Sequence, residues 1–446
     1  MTQQAKSEVE WISELPSHWR ALPLRGLAVA GRASFIDGDW IEAPYITEDG
    51  VRLLQTGNVG TGQFREQGFR YVSERTFDDL RCTEVSPGDV LICRLAEPVG
   101  RACLAPHLGV RMITSVDVCI MKPSSDNDRR FIVYLLSSPN YLSYMEGQCR
   151  GGTRDRVSRS FLGAVRVPVP PLLEQTAISA FLDRETSKID ALVEQQERLI
   201  ELLKEKRQTV ISYAVTKGLN SNVPMKDTGV EWLGNVPDHW QVGPLRRFVT
   251  GVQTGRTPTT ETPAVEIEGG VPWYTPGDFN GQLLLDIAAK AVSKESIENG
   301  EASFFPEGSV LVVSIGATLG KVGLAVARSS ANQQINAVIP SKFVDSQFLA
   351  FSLASKADAM RYLSNASTIG IMNQEKTKEI PMVLPPLEEQ VEICHYLTRK
   401  TTEFDTLISK AADAVSLLQE RRAALISAAV TGKIDVRQYA NVETAA

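Results

Sequence analysis

Two stretches of the chain place apolar residues on the alternating four-three spacing of a helical seam. In the first, Ile178, Leu182, Ile189, Leu192, Leu199, Leu203 and Val210 follow this pattern, interrupted by Glu185, Gln196 and Lys206. The pattern returns 215 residues later as Ile393, Leu397, Phe404, Leu407, Ala411, Ala414, Leu418 and Leu425, interrupted by Lys400 and Arg421. Paired prolines stand before Leu172 and Leu387, where a missing N–H costs a helix nothing, and Gly218 and Gly432 suit the C-terminal stop. Each helix is predicted to run about 40–45 residues, roughly 60–70 Å. A helix of that length with one apolar stripe must pair, and its repeat copy is the like-patterned stripe in the chain. The pattern predicts an antiparallel intramolecular coiled coil.

The remaining sequence has a different texture. Short apolar runs bounded by Gly and Pro, such as DVLIC at 89–93 and SVLVV at 309–313, predict buried strands, and 131–138 and 348–355 predict short amphipathic helices. These segments repeat as well. EWISELPSHW at 10–19 recurs as EWLGNVPDHW at 231–240, PPLLEQ at 170–175 as PPLEEQ at 385–390, and AVTKGL at 214–219 as AVTGKI at 429–434. The repeat predicts an α+β chain with a pseudo-twofold internal symmetry: globular domains over 1–169 and 221–384, long helices over 170–220 and 385–435, and a tail over 436–446.

Composition narrows the class. The 43% hydrophobic content is that of a globular protein. The polar, acidic opening is unlike a signal peptide, and no apolar run approaches the roughly 20 residues that span a bilayer, so a cytoplasmic protein without a membrane anchor is expected. Six cysteines without a C-x-x-C pair argue against a disulfide framework or zinc site. The net charge of −6 places any nucleic-acid contact in local patches: 1–169 holds 20 basic and 20 acidic residues, and 221–384 holds 13 and 16.

No catalytic or metal centre is expected. Gly316 and Gly320-Lys321 have three residues between the glycines and Val322 after the lysine, so they fit a turn between strands better than a phosphate loop. The adenine methyltransferase signature, H-E-x-x-H and a strand-to-helix G-x-G-x-x-G are all absent from the sequence. The repeat-matched His18 and His239 read as structural.

Candidate recognition residues concentrate in one basic stretch. Arg150, Arg154, Arg156, Arg159 and Arg166 surround Gly151, Gly152 and Thr153, with Asp155 the only acid among them. Such arginines suit phosphates and guanine edges, and a solvated surface loop is the alternative. Arg101 is a further candidate in the first half. In the second, the candidates are Arg246, Arg247, Arg256 and Lys321, with the amides of Asn332 and Gln333 beside Gln334 and Asn336 suited to adenine. Trp273 and Tyr274 are expected in a core.

Two globular segments, each opened by P-x-H-W and closed by a P-P-L-x-E-Q helix ending in A-V-T, resemble the specificity subunits of type I restriction-modification enzymes over essentially the whole chain. The resemblance implies a non-catalytic subunit that binds double-stranded DNA. Each globular segment would be a target recognition domain reading half of a split site, with the helices setting a spacing of about two duplex turns. It implies two adenine methyltransferase subunits using S-adenosylmethionine, and restriction subunits using ATP and magnesium. This chain itself would bind no cofactor. A hairpin scaffold that reads no DNA, a fused restriction enzyme, and a specificity chain of a system lacking the restriction subunit remain open alternatives.

Overall fold

A computed structural model describes residues 4–95, 97–149, 156–364 and 370–436. The chain divides into two compact units, 1–197 with 413–446, and 198–412. The first long helix, Leu172–Lys217, and the second, Leu387–Val430, therefore each begin in one unit and end in the other.

The first unit contains two four-stranded sheets. One orders its strands as Phe35–Asp37, Val118–Met121, Val90–Cys93 and Ala102–Leu104, all antiparallel; the other runs Met112–Thr114, Val51–Leu54, Tyr71–Val72, Ile46–Thr47. The second unit repeats this plan. Val249–Thr254, Ile335–Pro340, Val310–Val313 and Val322–Ala325 form the matching sheet, extended by Leu284–Leu285, and Lys290–Val292, Val271–Tyr274 and Ser330–Ala331 form the other. The strands at 90–93 and 310–313 are buried on both faces, which explains their unbroken apolar runs. Gly316 and Gly320 lie in the connection between antiparallel strands Val310–Val313 and Val322–Ala325, as the sequence suggests. Trp273 and Tyr274 are buried.

The repeated motifs meet in space. Glu174 of PPLLEQ takes His18 of P-S-H-W at 2.8 Å, and Glu389 of PPLEEQ takes His239 of P-D-H-W at 2.6 Å. The neighbouring glutamines, Gln175 and Gln390, are buried. Each side-chain N–H donates at 2.9 Å to the carbonyl five residues back, Pro170 or Pro385. Each side-chain oxygen accepts the backbone N–H of an aspartate, Asp128 at 2.9 Å or Asp345 at 2.7 Å. Those aspartates cap the short helices Arg129–Leu136 and Ser346–Ala354. One Glu-Gln pair thus ties the start of each long helix to the tryptophan-bearing opening of its domain and to a capped domain helix. At the other ends, Gly432 and Gly218 adopt φ of +72° and +75°. A Cβ would fall 2.4 Å from Pro16 at Gly432 and 3.1 Å from the Trp240 ring at Gly218, so the backbone disfavours a larger residue at both and space forbids it at Gly432.

The seam of the long helices differs from the expected one in half of its positions. Leu182, Ile189, Leu203 and Val210 face inward, as do Leu397, Phe404, Ala411, Leu418 and Leu425. The companion series lies one residue later than predicted: Thr186, Val193, Ile200, Arg207 and Ala214, matched at offset 215 by Thr401, Ile408, Val415, Arg422 and Ala429. Leu192, Leu199 and Leu407 are consequently 45%, 42% and 49% exposed, a correction to the predicted stripe. Ile178 and Ile393 are buried because the domain cores cover the helix starts. Choosing leucines over the polar Thr186 and Arg207 displaces the predicted stripe, whereas the fold admits both. Arg207 reaches Asp405 at 3.2 Å in one unit and Arg422 reaches Asp190 at 2.8 Å in the other. The two pairs are repeat mates, and the later residue of one helix meets the earlier residue of the other, as antiparallel pairing requires. Among the described residues no helix is long and apolar enough to cross a membrane.

Candidate nucleic-acid interface

At one edge of each domain, five segments are stitched together by the same four backbone hydrogen bonds. In the first domain Gly38 donates to Val118 at 2.9 Å, Ser115 to Leu54 at 2.9 Å, Arg94 to Asp117 at 2.8 Å, and Val157 to Arg94 at 3.0 Å. In the second, Gly255 donates to Ile335 at 2.9 Å, Asn332 to Tyr274 at 3.0 Å, Ser314 to Gln334 at 2.8 Å, and Met372 to Ser314 at 2.9 Å. Gly38 and Gly255 are dictated by the crossing, since a Cβ would fall 2.3 Å and 2.1 Å from a carbonyl oxygen. Loops held this way by a rigid sheet are where recognition side chains are commonly placed.

The side chains on this shared frame differ in kind. Arg94, 4% exposed, pairs with Asp37 at 3.0 Å and donates to the carbonyls of Val157 at 3.1 Å and Val116 at 2.6 Å. Arg156 pairs with Asp117 at 3.0 Å, and Arg159 lies 3.8 Å from Asp37; both arginines are exposed. The matched positions of the second domain are neutral: Thr254 for Asp37, Ser314 for Arg94, Gln334 for Asp117, Ile371 for Arg156 and Gln374 for Arg159. There the Gln374 amide meets the Thr254 hydroxyl at 3.0 Å, and the Ser314 hydroxyl donates to the Gln334 carbonyl at 2.9 Å.

Of the sequence candidates, Arg156, Arg159, Arg256, Asn332 and Gln333 belong to these edges. Gln333 accepts a hydrogen bond from Thr257 at 2.7 Å, and Asn332 folds onto Gln334 at 3.0 Å. Arg256 is exposed, with one N–H 3.3 Å from the Gly300 carbonyl. Arg150 and Arg154 lie outside the described residues.

Arg101 corrects the sequence reading. Arg101 is 6% exposed and donates to the carbonyls of Val59, Leu95, Pro98 and Thr56 at 2.6–3.1 Å, which leaves its guanidinium no face for DNA. Its repeat mate Lys321 donates at 2.8 Å to Phe279, the repeat mate of Val59. Arg101 is thus a buried staple between two turns, whereas Lys321 makes the one matching bond and is itself exposed. Arg246 is engaged by Glu379, and Arg166 by Glu8 at 2.5 Å; Arg247 beside Arg246 is exposed. Asp37, Arg94 and Asp117 escape a search for basic clusters. Across the repeat, at offsets of 217 and 220 residues, they are charged where the second domain is neutral. Among the described residues no group of three or more His, Cys, Asp or Glu is arranged to hold a metal ion.

The model of the type I restriction modification DNA specificity domain matches 72–202 and 237–414, one copy over each repeat. The chain belongs to this family. It is a non-catalytic specificity subunit with two DNA specificity domains, part of an assembly with other subunits. It is 22% identical over 381 residues to a putative type I restriction enzyme MjaX specificity subunit from Methanocaldococcus jannaschii, covering 82% of this chain and 83% of that one. It is 20% identical over 413 residues to the EcoKI specificity subunit of Escherichia coli, covering 87% and 84%. Its fold is similar to that of the HsdS subunit from Thermoanaerobacter tengcongensis, with a TM-score of 0.51 at 17% identity over 94% of this chain and 98% of that one. A chain from a structural study of type I complex assembly and conformational transition gives a TM-score of 0.67 at 17% identity, covering 94% and 99%.

Proposed function

We propose that each domain reads one half of a bipartite double-stranded DNA site through its stitched loop edge, Arg156 and Arg159 acting in the first domain, and Arg256, Asn332, Gln333 and Gln374 in the second. The observation that carries this reading is the common backbone frame with different side chains at matched positions, the arrangement expected of two readers of different half-sites. Arg247 is a further phosphate contact. The long helices set the spacing of the half-sites and seat two adenine methyltransferase subunits. Their exposed leucines support that role, because Leu192 and Leu202 recur as Leu407 and Leu417, giving two like surfaces for two identical partners. The partners supply the chemistry, the methyltransferases with S-adenosylmethionine and the restriction subunits with ATP and magnesium, and the assembly works in the cytoplasm.

The test is a map of methylated adenine in DNA from cells expressing the cognate methyltransferase subunit with and without this chain. A split motif should appear only with the chain, and a verified active complex without such a motif overturns the reading. Exchanging Arg156→Ile and Arg159→Gln, the second domain's residues, should weaken DNA binding. The salt slope should shrink by about 0.9 for each phosphate that is no longer neutralised.

A further inference from the structure

Beside the stitched edge of the first domain lies a cup of about 240 Å³. Its apolar lining comprises Ile41, Ala43, Ile46, Leu53 and Val116 together with Trp40, which is 73% exposed. Asp39, Gln55, Arg70, Ser115 and Asp117 supply the polar part of the lining. A bridge between Asp39 and Ser115 ties these two lining segments together, the Asp39 N–H meeting the Thr114 carbonyl at 2.8 Å. The Asp39 carboxylate is anchored from below by the Thr83 N–H at 2.8 Å. Asp117 is held by Arg156 at 3.0 Å.

We propose that this cup is a base-reading pocket of the first domain, in which Trp40 packs on the duplex while the Asp39 and Asp117 side accepts the exocyclic amino group of an adenine or cytosine in the major groove. The inference rests on the DNA-reading role proposed above and assigns it a ligand chemistry. The Asp39 carboxylate, and that of Asp117 beside its Arg156 partner, offer acceptor oxygens, so a base edge gains by entering where it presents donors. In the major groove those donors are adenine N6 and cytosine N4, and acidic side chains pair with the latter. Desolvation already pushes the Asp39 pKa up, so a hydrogen-bond donor brought to it is favourable. Arg70 and Arg156 flank the recess to meet the neighbouring backbone.

The second domain lacks this chemistry. Its matched residues are Arg256 for Asp39, Thr257 for Trp40, Thr275 for Gln55 and Gln334 for Asp117. An arginine and an amide there suit guanine or adenine acceptors, so the pocket's effect is confined to one half-site.

The methylated-adenine map tests this with Trp40→Ala and Asp117→Asn in the full complex. Both should relax base preference at the same one or two adjacent positions of a single half-site and leave the other intact. Binding to the mapped duplex should weaken roughly tenfold or more for Trp40→Ala with an unchanged salt slope, since an apolar contact releases no counterion. Trp40→Phe should keep the motif. Tryptophan quenching on DNA binding, taken as the difference between the wild-type and Trp40→Phe complexes, reads the contact without a destabilised variant. A wild-type motif at wild-type occupancy in both variants, or no difference in quenching, overturns the pocket while leaving the DNA-reading role standing. The absence of any chain-dependent motif in the wild type overturns both.

Discussion

The two loop edges are built on one backbone and locked by opposite means. In the first domain, Arg94 holds three segments by charge: it pairs with Asp37 and donates to the carbonyls of Val116 and Val157. In the second, Ser314 occupies the same place and makes one hydroxyl hydrogen bond to Gln334. The strands, the glycine crossings and the interstrand N–H bonds are common property, and what varies is the side chain projecting from each matched position. Geometry is therefore fixed by groups that every sequence has, the backbone amides and carbonyls, which frees the side chains to differ. The charged solution also carries a structural burden that the neutral one does not, because a buried ion is costly once its partner is gone.

The largest expected effect follows from that burden. Arg94→Ala leaves the partly exposed Asp37 with only the more distant Arg159 and strips two carbonyls of their donor, and should destabilise the first domain by about 2–3 kcal/mol. Ser314→Ala removes one hydrogen bond and should cost the second domain about 1 kcal/mol. Urea unfolding of the full chain, followed by hydrogen exchange in each domain, measures both. Equal effects in the two domains would mean that the two edges are locked alike and that the contrast drawn between them is wrong.

A second contrast lies where the capped domain helices end. Ser138 and Ser355 both fold back onto their helices, and the next residue is Pro139 in the first domain and the buried Lys356 in the second. The Lys356 ammonium donates to the Ser352 carbonyl at 2.9 Å and hydroxyl at 3.0 Å. Burial lowers its pKa to about 7. The unfolded chain, with an ordinary lysine near 10.5, then binds more protons than the folded one between these values. Stability contributed through this group rises with pH across that window, by at most about 1.4 kcal/mol per pH unit, and the destabilisation is present in full below pH 7. The second domain should therefore gain stability from pH 7 to 9. Lys356→Met should remove the gain and stabilise the domain at pH 7, and a slope that survives the substitution would assign it to another group.

The long helices, the repeat and its junctions are legible in the sequence because they rest on periodicity and on motifs that recur. The seam is legible only to within one residue. A four-three pattern can be filled by either of two neighbouring series, and hydropathy favours the leucines at 192, 199 and 407 over Thr186, Arg207 and Thr401. A long-range ion pair, invisible in the sequence, is what admits Arg207 and Arg422 to the stripe. The recognition edge is less legible still. Arginine in the sequence carries no sign of whether its partner is a phosphate or a carbonyl, and Arg101 and Arg156 look alike until four carbonyls are found around one of them. Trp40 stands out least, because a lone aromatic in a loop acquires meaning only when the sheet brings Asp39, Gln55 and Asp117 beside it.

The smallest predicted effect tests what the halves share. Asp190–Arg422 and Arg207–Asp405 are the same interaction on repeat-related residues, one in each unit, and both are partly open to solvent. Exposed pairs of this kind are worth about 0.2–1 kcal/mol after the entropy of ordering two side chains. Double-mutant cycles to Ala at the two pairs should return coupling energies in that range, equal within about 0.3–0.5 kcal/mol, and both should shrink as salt is raised. Arg207 is the more enclosed of the two arginines, so any residual difference should favour its pair. Equal couplings beside unequal destabilisation at Arg94 and Ser314 would place the asymmetry of the chain in its reading edges and its symmetry in the helices. A coupling present at one pair and absent at the other would mean that the helices have diverged as the domains have, and two identical partners would then meet unlike seats.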